Sequence, residues 1–180
     1  SLLLIFLITV LFQDVKERNI DQTINQMGLS SSSSERFIFS EMHQSLYETS
    51  INMFLDKPVL GVGPNNFRKL CSLDKYSTNE ISCSTHPHNT YIQLLAETGT
   101  IGFLFPIALN VYFLYLLLKH MRQRIKNINT VSDTEICLIA CFVLTLWPFL
   151  PTQNFFNNWI NSIYFLPVGF YLSLVYSDRN

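Results

Sequence analysis

Two of the chain's four histidines, His86 and His88, flank a single proline in STHPHNTYIQLLAETGTIGFLF, residues 84–105. Imidazole titrates near neutral pH, so such a pair can ligate a metal, accept a proton or serve as a structural cap. A metal needs further ligands, and no HExxH or carboxylate cluster accompanies the pair, so none is expected. Thr90 and Gln93 read as a capping box. Tyr91, Ile92, Leu94 and Leu95 form an apolar stripe that Gly99 stops or bends. His88 then stands just ahead of a helix N-terminus, where partial positive charge favours a bound anion and disfavours imidazolium. A neutral ring is the form a general base requires. The same spacing also suits a purely structural cap made by His88 and Asn89.

The elements that must position these residues precede them. The segment ERFIFSEMHQSLYETSINMFLDKP places Ile38, Met42, Leu46, Tyr47, Ile51, Phe54 and Leu55 at helical spacing. Ser32 with Glu35 reads as its capping box and Pro58 as its end, which puts Arg36 in the first turn and His43 on roughly the same face. VLGVGPNNF follows, and Gly61, Gly63 and Pro64 mark a tight turn. Without a preceding strand and a following Lys or Ser, Gly-x-Gly favours that turn over a phosphate cradle. QDVKERNIDQTINQMGLSSSS, ahead of the helix, reads as a linker or a short exposed helix.

The chain is 48% hydrophobic with a formal charge of −1, and its charges are unevenly distributed. Thr100 to Leu118 is uncharged over 19 residues. As a helix it would be about 28 Å long at roughly 1.5 Å per residue, close to the hydrocarbon thickness of a bilayer. The fold expected is mainly α: a polytopic membrane protein with about three full transmembrane helices, a truncated one at the N-terminus and a large helical outer loop. Its expected parts are a truncated span (1–12), an outer loop (13–99), a span (100–118), an inner loop (119–135), a span (136–151), a short outer loop (152–159), a span (160–177) and an inner tail (178–180). Lys119, Arg122, Arg124 and Lys126 fix this orientation, because basic loops stay in the cytoplasm. Trp147, Trp159, Tyr164 and Tyr171 supply interfacial aromatics. Four cations beside a span do not make a nucleic-acid surface, so the bilayer, and no nucleic acid, is expected as a partner.

Cys71 and Cys83 both fall in the outer loop, where a disulfide can persist, and their spacing allows either a bridge or two separate thiols. Cys137 and Cys141, within an apolar run, read as small packing residues.

HNTYIQLLAETGTIG, His-Asn followed after nine residues by Gly-x-x-Gly, resembles the signature of the O-antigen ligase and polymerase superfamily. The preceding Arg, helix, Asp-x-Pro and Gly-x-Gly run resembles the same family, so the likeness covers about residues 35–105. It implies a membrane-embedded transferase, in the bacterial inner membrane with its loop in the periplasm. Such an enzyme moves a glycan from undecaprenyl diphosphate to a hydroxyl of a lipid A core, a growing glycan or a protein. His88 matches the family's base and Arg36 its diphosphate-binding arginine, while Asn89, Gly99 and Gly102 match the rest of the signature. No cofactor is implied, since the diphosphate carrier is already an activated donor. The family also has a further arginine upstream, so these 180 residues are expected to lack half of the site and to be inactive alone. The competing expectation is a non-catalytic membrane protein, a transporter or sensor, in which the loop is structural.

Overall fold

The structure, a computed structural model, describes residues 11–27, 29, 38–126, 128 and 132–177. Helix α1 (Gln13–Lys16) runs through a π-helical turn (Glu17–Asp21) into α2 (Gln22–Gln26). The remaining helices are α3 (Glu41–Asp56), α4 (Phe67–Leu70), α5 (Thr90–Ile125), α6 (Asp133–Thr145), α7 (Asn158–Tyr164) and α8 (Leu166–Ser177). Among the described residues there is no strand.

Helix α3 starts later than the periodicity predicts. Ser40 is extended, at φ −62° and ψ 151°, and its hydroxyl accepts the His43 amide, so Ser40 is the cap. Ser32, Glu35 and Arg36 lie outside the described residues. The buried face is also different. Ser45, Leu46, Thr49, Ser50 and Met53 point inward, whereas Ile38 and Met42 are exposed. Small hydroxyls can face a core when the helix itself or a close neighbour answers them: Ser50 Oγ donates to the Leu46 carbonyl at 2.7 Å, and Asn79 Nδ2 donates to Ser45 Oγ at 2.7 Å.

Two apolar clusters result. One, Leu46, Met53, Phe67, Cys71, Tyr76 and Ala96, joins α3, α4 and the first turns of α5. A disulfide between Cys71 and Cys83 closes its edge, with the Cα atoms 4.9 Å apart. Asp56, at the end of α3, holds the same loop by accepting from Lys75 Nζ at 2.5 Å and Tyr76 Oη at 2.7 Å. The other cluster, Phe113, Leu116, Ile139, Phe142, Val143 and Leu146, binds the far half of α5 to α6, with the Phe113 and Phe142 rings stacked at 4.3 Å.

Among the described residues two helical stretches are long and apolar enough to cross a membrane: Thr90–Ile125, and the α7–α8 pair over Asn158–Tyr176. The apolar run at 136–151 behaves differently, because α6 ends at Thr145 after 13 residues. That is about 20 Å at about 1.5 Å per residue, against about 30 Å of hydrocarbon. Pro148 explains the stop, since its ring removes a donor and disfavours helix in the residue before it. Residues 146–157 turn back instead along the first turns of α5, carrying Thr152 and Asn154 to that helix.

Helix α5 bends sharply at Gly99, where φ is 64° and ψ −162°. The loop after α3 closes on the bend. Val62 N and Gly63 N donate to the Ala96 and Glu97 carbonyls at 3.0 and 2.9 Å, and Thr100 N donates to the Pro58 carbonyl at 2.9 Å. Two main chains this close leave no room for side chains. A Cβ on Gly99 would meet the Val59 carbonyl and the Gly61 nitrogen, and one on Gly61 would meet the backbone of Glu97 and Thr98. We therefore expect Gly99→Ala to cost about 2–5 kcal/mol, combining a left-handed penalty with overpacking. The measurement is thermal unfolding in detergent, read as a fall in Tm. An unchanged Tm would mean that the bend relaxes without the contact.

Candidate active site

Residues 146–157 and the first turn of α3 converge on the HPHN segment, while the turn at Gly61 meets α5 further along, at the bend. His88 has a left-handed backbone, φ 59°, which histidine adopts more readily than most residues. Its carbonyl accepts the Thr152 amide at 2.8 Å, so a residue far along the chain holds the strained turn in place. Pro87 beside it is fully buried.

Asn89, not Thr90, caps α5. Its Oδ1 accepts the Tyr91 and Ile92 amides at 3.0 and 3.1 Å, and its Nδ2 donates to the Pro148 carbonyl at 2.8 Å. The predicted Thr90–Gln93 box does not form, because both side chains are claimed by residues 146–157. Thr90 Oγ1 meets Thr152 Oγ1 at 2.9 Å. Gln93 Nε2 donates to Asn154 Oδ1 at 2.7 Å and to Glu97 Oε2 at 3.0 Å, while its Oε1 accepts the Phe155 amide at 2.9 Å. Glu97, buried, accepts the Phe67 amide at 2.7 Å and so links this ladder to α4.

Three imidazoles meet here. The His86 and His88 ring centroids are 4.1 Å apart and tilted by 52°; His43, from the first turn of α3, faces His88 edge-on at 5.8 Å. The rings differ in what their nitrogens do. His86 has both engaged, Nδ1 with Thr85 Oγ1 at 2.9 Å and Nε2 with the Thr152 carbonyl at 3.3 Å. His43 has Nδ1 engaged with Ser40 Oγ at 2.7 Å. Neither ring nitrogen of His88 is hydrogen bonded to a described residue, and the side chain is half-buried rather than sealed. His88 is therefore the ring of the three with both nitrogens open to a ligand, while His43 keeps only Nε2. Among the described residues no group of three or more His, Cys, Asp or Glu side chains is arranged to hold a metal ion.

Beside this cluster opens an apolar groove of about 550 Å³. Tyr47 and Asn89 form its head, and Phe103, Ile107, Val111 and Leu114 carry it down α5. Asn110 is the polar break within it, donating to Tyr91 Oη at 3.0 Å and to the Leu146 carbonyl.

The motif glycines shape backbone. The amides of Gly61 and Gly63 donate to the Lys57 and Glu97 carbonyls, each at 2.9 Å, which leaves neither to cradle a phosphate. A Cβ on Gly102 would run into Thr98, one turn back. Arg36 lies outside the described residues, so the structure leaves its position relative to His88 undescribed. Sequence spacing placed His43 toward Arg36 and gave no hint that it meets His88. Thr152 and Asn154, some sixty residues downstream of the ladder they complete, carry no local signal at all.

Both paired rings are held below the ordinary histidine range. For His86 the cause is burial first, then the charge of His88, partly offset by the Thr152 carbonyl; for His88 it is burial, then the charge of His43. The unfolded chain therefore takes up protons at these positions before the folded one does. The stability this represents is fully present above the unfolded value near 6.5 and is lost as the pH falls from there through the folded values. Tm in detergent should accordingly drop between about pH 7.5 and about pH 5.5. A His86→Gln, His88→Gln double variant should drop less over that window. An identical drop would assign the effect to other groups.

The O-antigen ligase family profile matches residues 1–107, more than half of the chain and all of the HPHN segment, the turn and the bend. No curated protein and no solved structure matches. The chain belongs to the O-antigen ligase family.

Proposed function

We propose that the protein is a membrane glycosyltransferase that moves a glycan from undecaprenyl diphosphate to an acceptor hydroxyl at the periplasmic face of the bacterial inner membrane. The observation that supports this most directly is His88, with both ring nitrogens free, standing beside an apolar groove that descends a membrane-length helix. A polyprenyl donor needs that combination, because its glycan head must meet polar chemistry while its tail stays in hydrocarbon. The multi-pass arrangement, with residues 13–99 in the periplasm and Lys119, Arg122, Arg124 and Lys126 in the cytoplasm, belongs to the same reading. The acceptor is a lipid A core, a growing glycan or a protein.

In the reaction, the acceptor oxygen attacks the anomeric carbon. A new glycosidic C–O bond forms, the C–O bond to the diphosphate breaks, and the hydroxyl proton passes to His88. Burial keeps the ring neutral before the step, as a base must be. Arg36 would take the negative charge growing on the leaving diphosphate, since guanidinium stays charged and grips phosphate oxygens with two parallel donors. Asn89 holds the head of α5 in place beneath the base and contributes to the substrate cleft. No cofactor enters the proposed step.

The test is transfer of carrier-linked glycan in membranes containing the complete gene product. His88→Ala should lower the rate by about 10²- to 10⁴-fold at unchanged expression, the contribution typical of a general base. Normal transfer would remove the assigned role. Arg36→Lys keeps the charge but loses the planar fork, and a large loss is expected there as well; an undiminished rate would mean that another cation holds the diphosphate.

A further inference from the structure

Of the three imidazoles, His86 has the least access to a substrate and the most hydrogen bonds. It is 5% exposed, and both of its nitrogens are committed to the protein. The Thr152 carbonyl can only accept, so Nε2 of His86 must carry the proton that joins them. The Thr85 hydroxyl can then donate to Nδ1, which makes a complete hydrogen-bond set for a neutral ring.

Thr152 is bound three times over. Its amide donates to the His88 carbonyl, its carbonyl accepts from His86, and its hydroxyl meets Thr90. One residue of the 146–157 segment thus fixes both histidines of the motif and the first residue of α5. His88, by contrast, has no hydrogen bond on its ring to set its orientation; it rests between the His86 ring at 4.1 Å and His43 at 5.8 Å.

We propose that His86, clasped by Thr152, is a positioning residue that holds the His88 ring in its productive orientation and in its neutral form. This rests on the reading of His88 as the base. A neutral, immobilised ring at van der Waals distance acts in two ways. It leaves His88 few orientations, and it excludes the water that would stabilise an imidazolium. The surrounding groups agree. Helix α3 presents His43, with Tyr47 packed on it; residues 146–157 present the uncharged Thr152; α5 presents Thr90. Among the described residues, the ionisable groups beside the pair are thus an imidazole, His43, and the Tyr47 phenol packed on it, and no carboxylate shifts either ring.

The test uses the complete protein in membranes, with two readouts. His86→Ala should lower kcat by about 10- to 100-fold, the scale of a misplaced reacting group, with the KM for carrier-linked glycan nearly unchanged. The acid limb of kcat/KM should move up toward about 6.5, the ordinary histidine value, as water reaches His88. His86→Gln, whose amide can still donate to the Thr152 carbonyl, should recover most of the rate. Independently of activity, NMR titration of ¹³C-labelled histidine in the detergent-solubilised protein should show the His88 midpoint rising in His86→Ala and staying low in His86→Gln. Unmoved acid limb and unmoved midpoint in His86→Ala would overturn the proposal, whatever the rate. A midpoint that rises while His88→Ala still transfers glycan would uphold the clasp and remove instead the assignment of His88 as base.

Discussion

Everything around the candidate site depends on a backbone contact between the turn at residues 58–63 and the bend of α5 at residues 96–101. A helix that turns at Gly99 strands two carbonyls before the bend and two amides after it. The turn answers all four: Val62 and Gly63 supply amides to Ala96 and Glu97, and Pro58 and Val59 supply carbonyls to Thr100 and Ile101. The bend is therefore built without orphaned polar groups, but main chain must lie against main chain. Gly61 and Gly99 are required for that reason, since a Cβ on either would enter the other segment's backbone.

Once the bend is fixed, the rest follows by attachment. Pro58 comes directly after α3, so the contact anchors that helix beside α5 and brings His43, at its opposite end, to His88. Ahead of the bend, the first turns of α5 belong to a small unit with its own apolar core, closed by the Cys71–Cys83 disulfide; beyond it, the same helix packs Phe113 and Leu116 against α6. The two arms of α5 thus carry Asn89 beside the histidines at one end and, across the bend, the lower wall of the apolar groove.

Residues 146–157, part of which was expected to continue a span, instead pack on the first turns of α5. The sequence reads as apolar through Pro151, yet Trp147 and Pro148 end the helix early and the chain folds back. Its polar side chains and free main-chain groups then find partners in Thr90, Gln93 and the two histidines of the motif. Buried polar groups of this kind are costly when half-satisfied and strongly orienting when fully satisfied. Here nearly every one has a partner, which is why the ring nitrogens of His88 stand out as free.

The division between what could be read and what could not follows the range of the forces. The apolar run from Thr100, the polar character of the segment before it and the bend at Gly99 were legible from the residues and from their likeness to a known motif. Each depends on local backbone preference or on composition. Of the two caps the sequence offered for α5, Asn89 forms and the Thr90–Gln93 box does not, because those side chains are taken by Thr152, Asn154 and Phe155 in the fold. The start of α3 and its buried face moved for the same reason: Asn79 and the α5 surface decide which side turns inward. Sequence alone determined the mainly helical character, the apolar run from Thr100 and the motif that contains His88. Tertiary structure decided which histidine His88 meets, which nitrogens are spent and which glycines touch, since those depend on contacts between segments from about forty to more than sixty residues apart that no local pattern encodes.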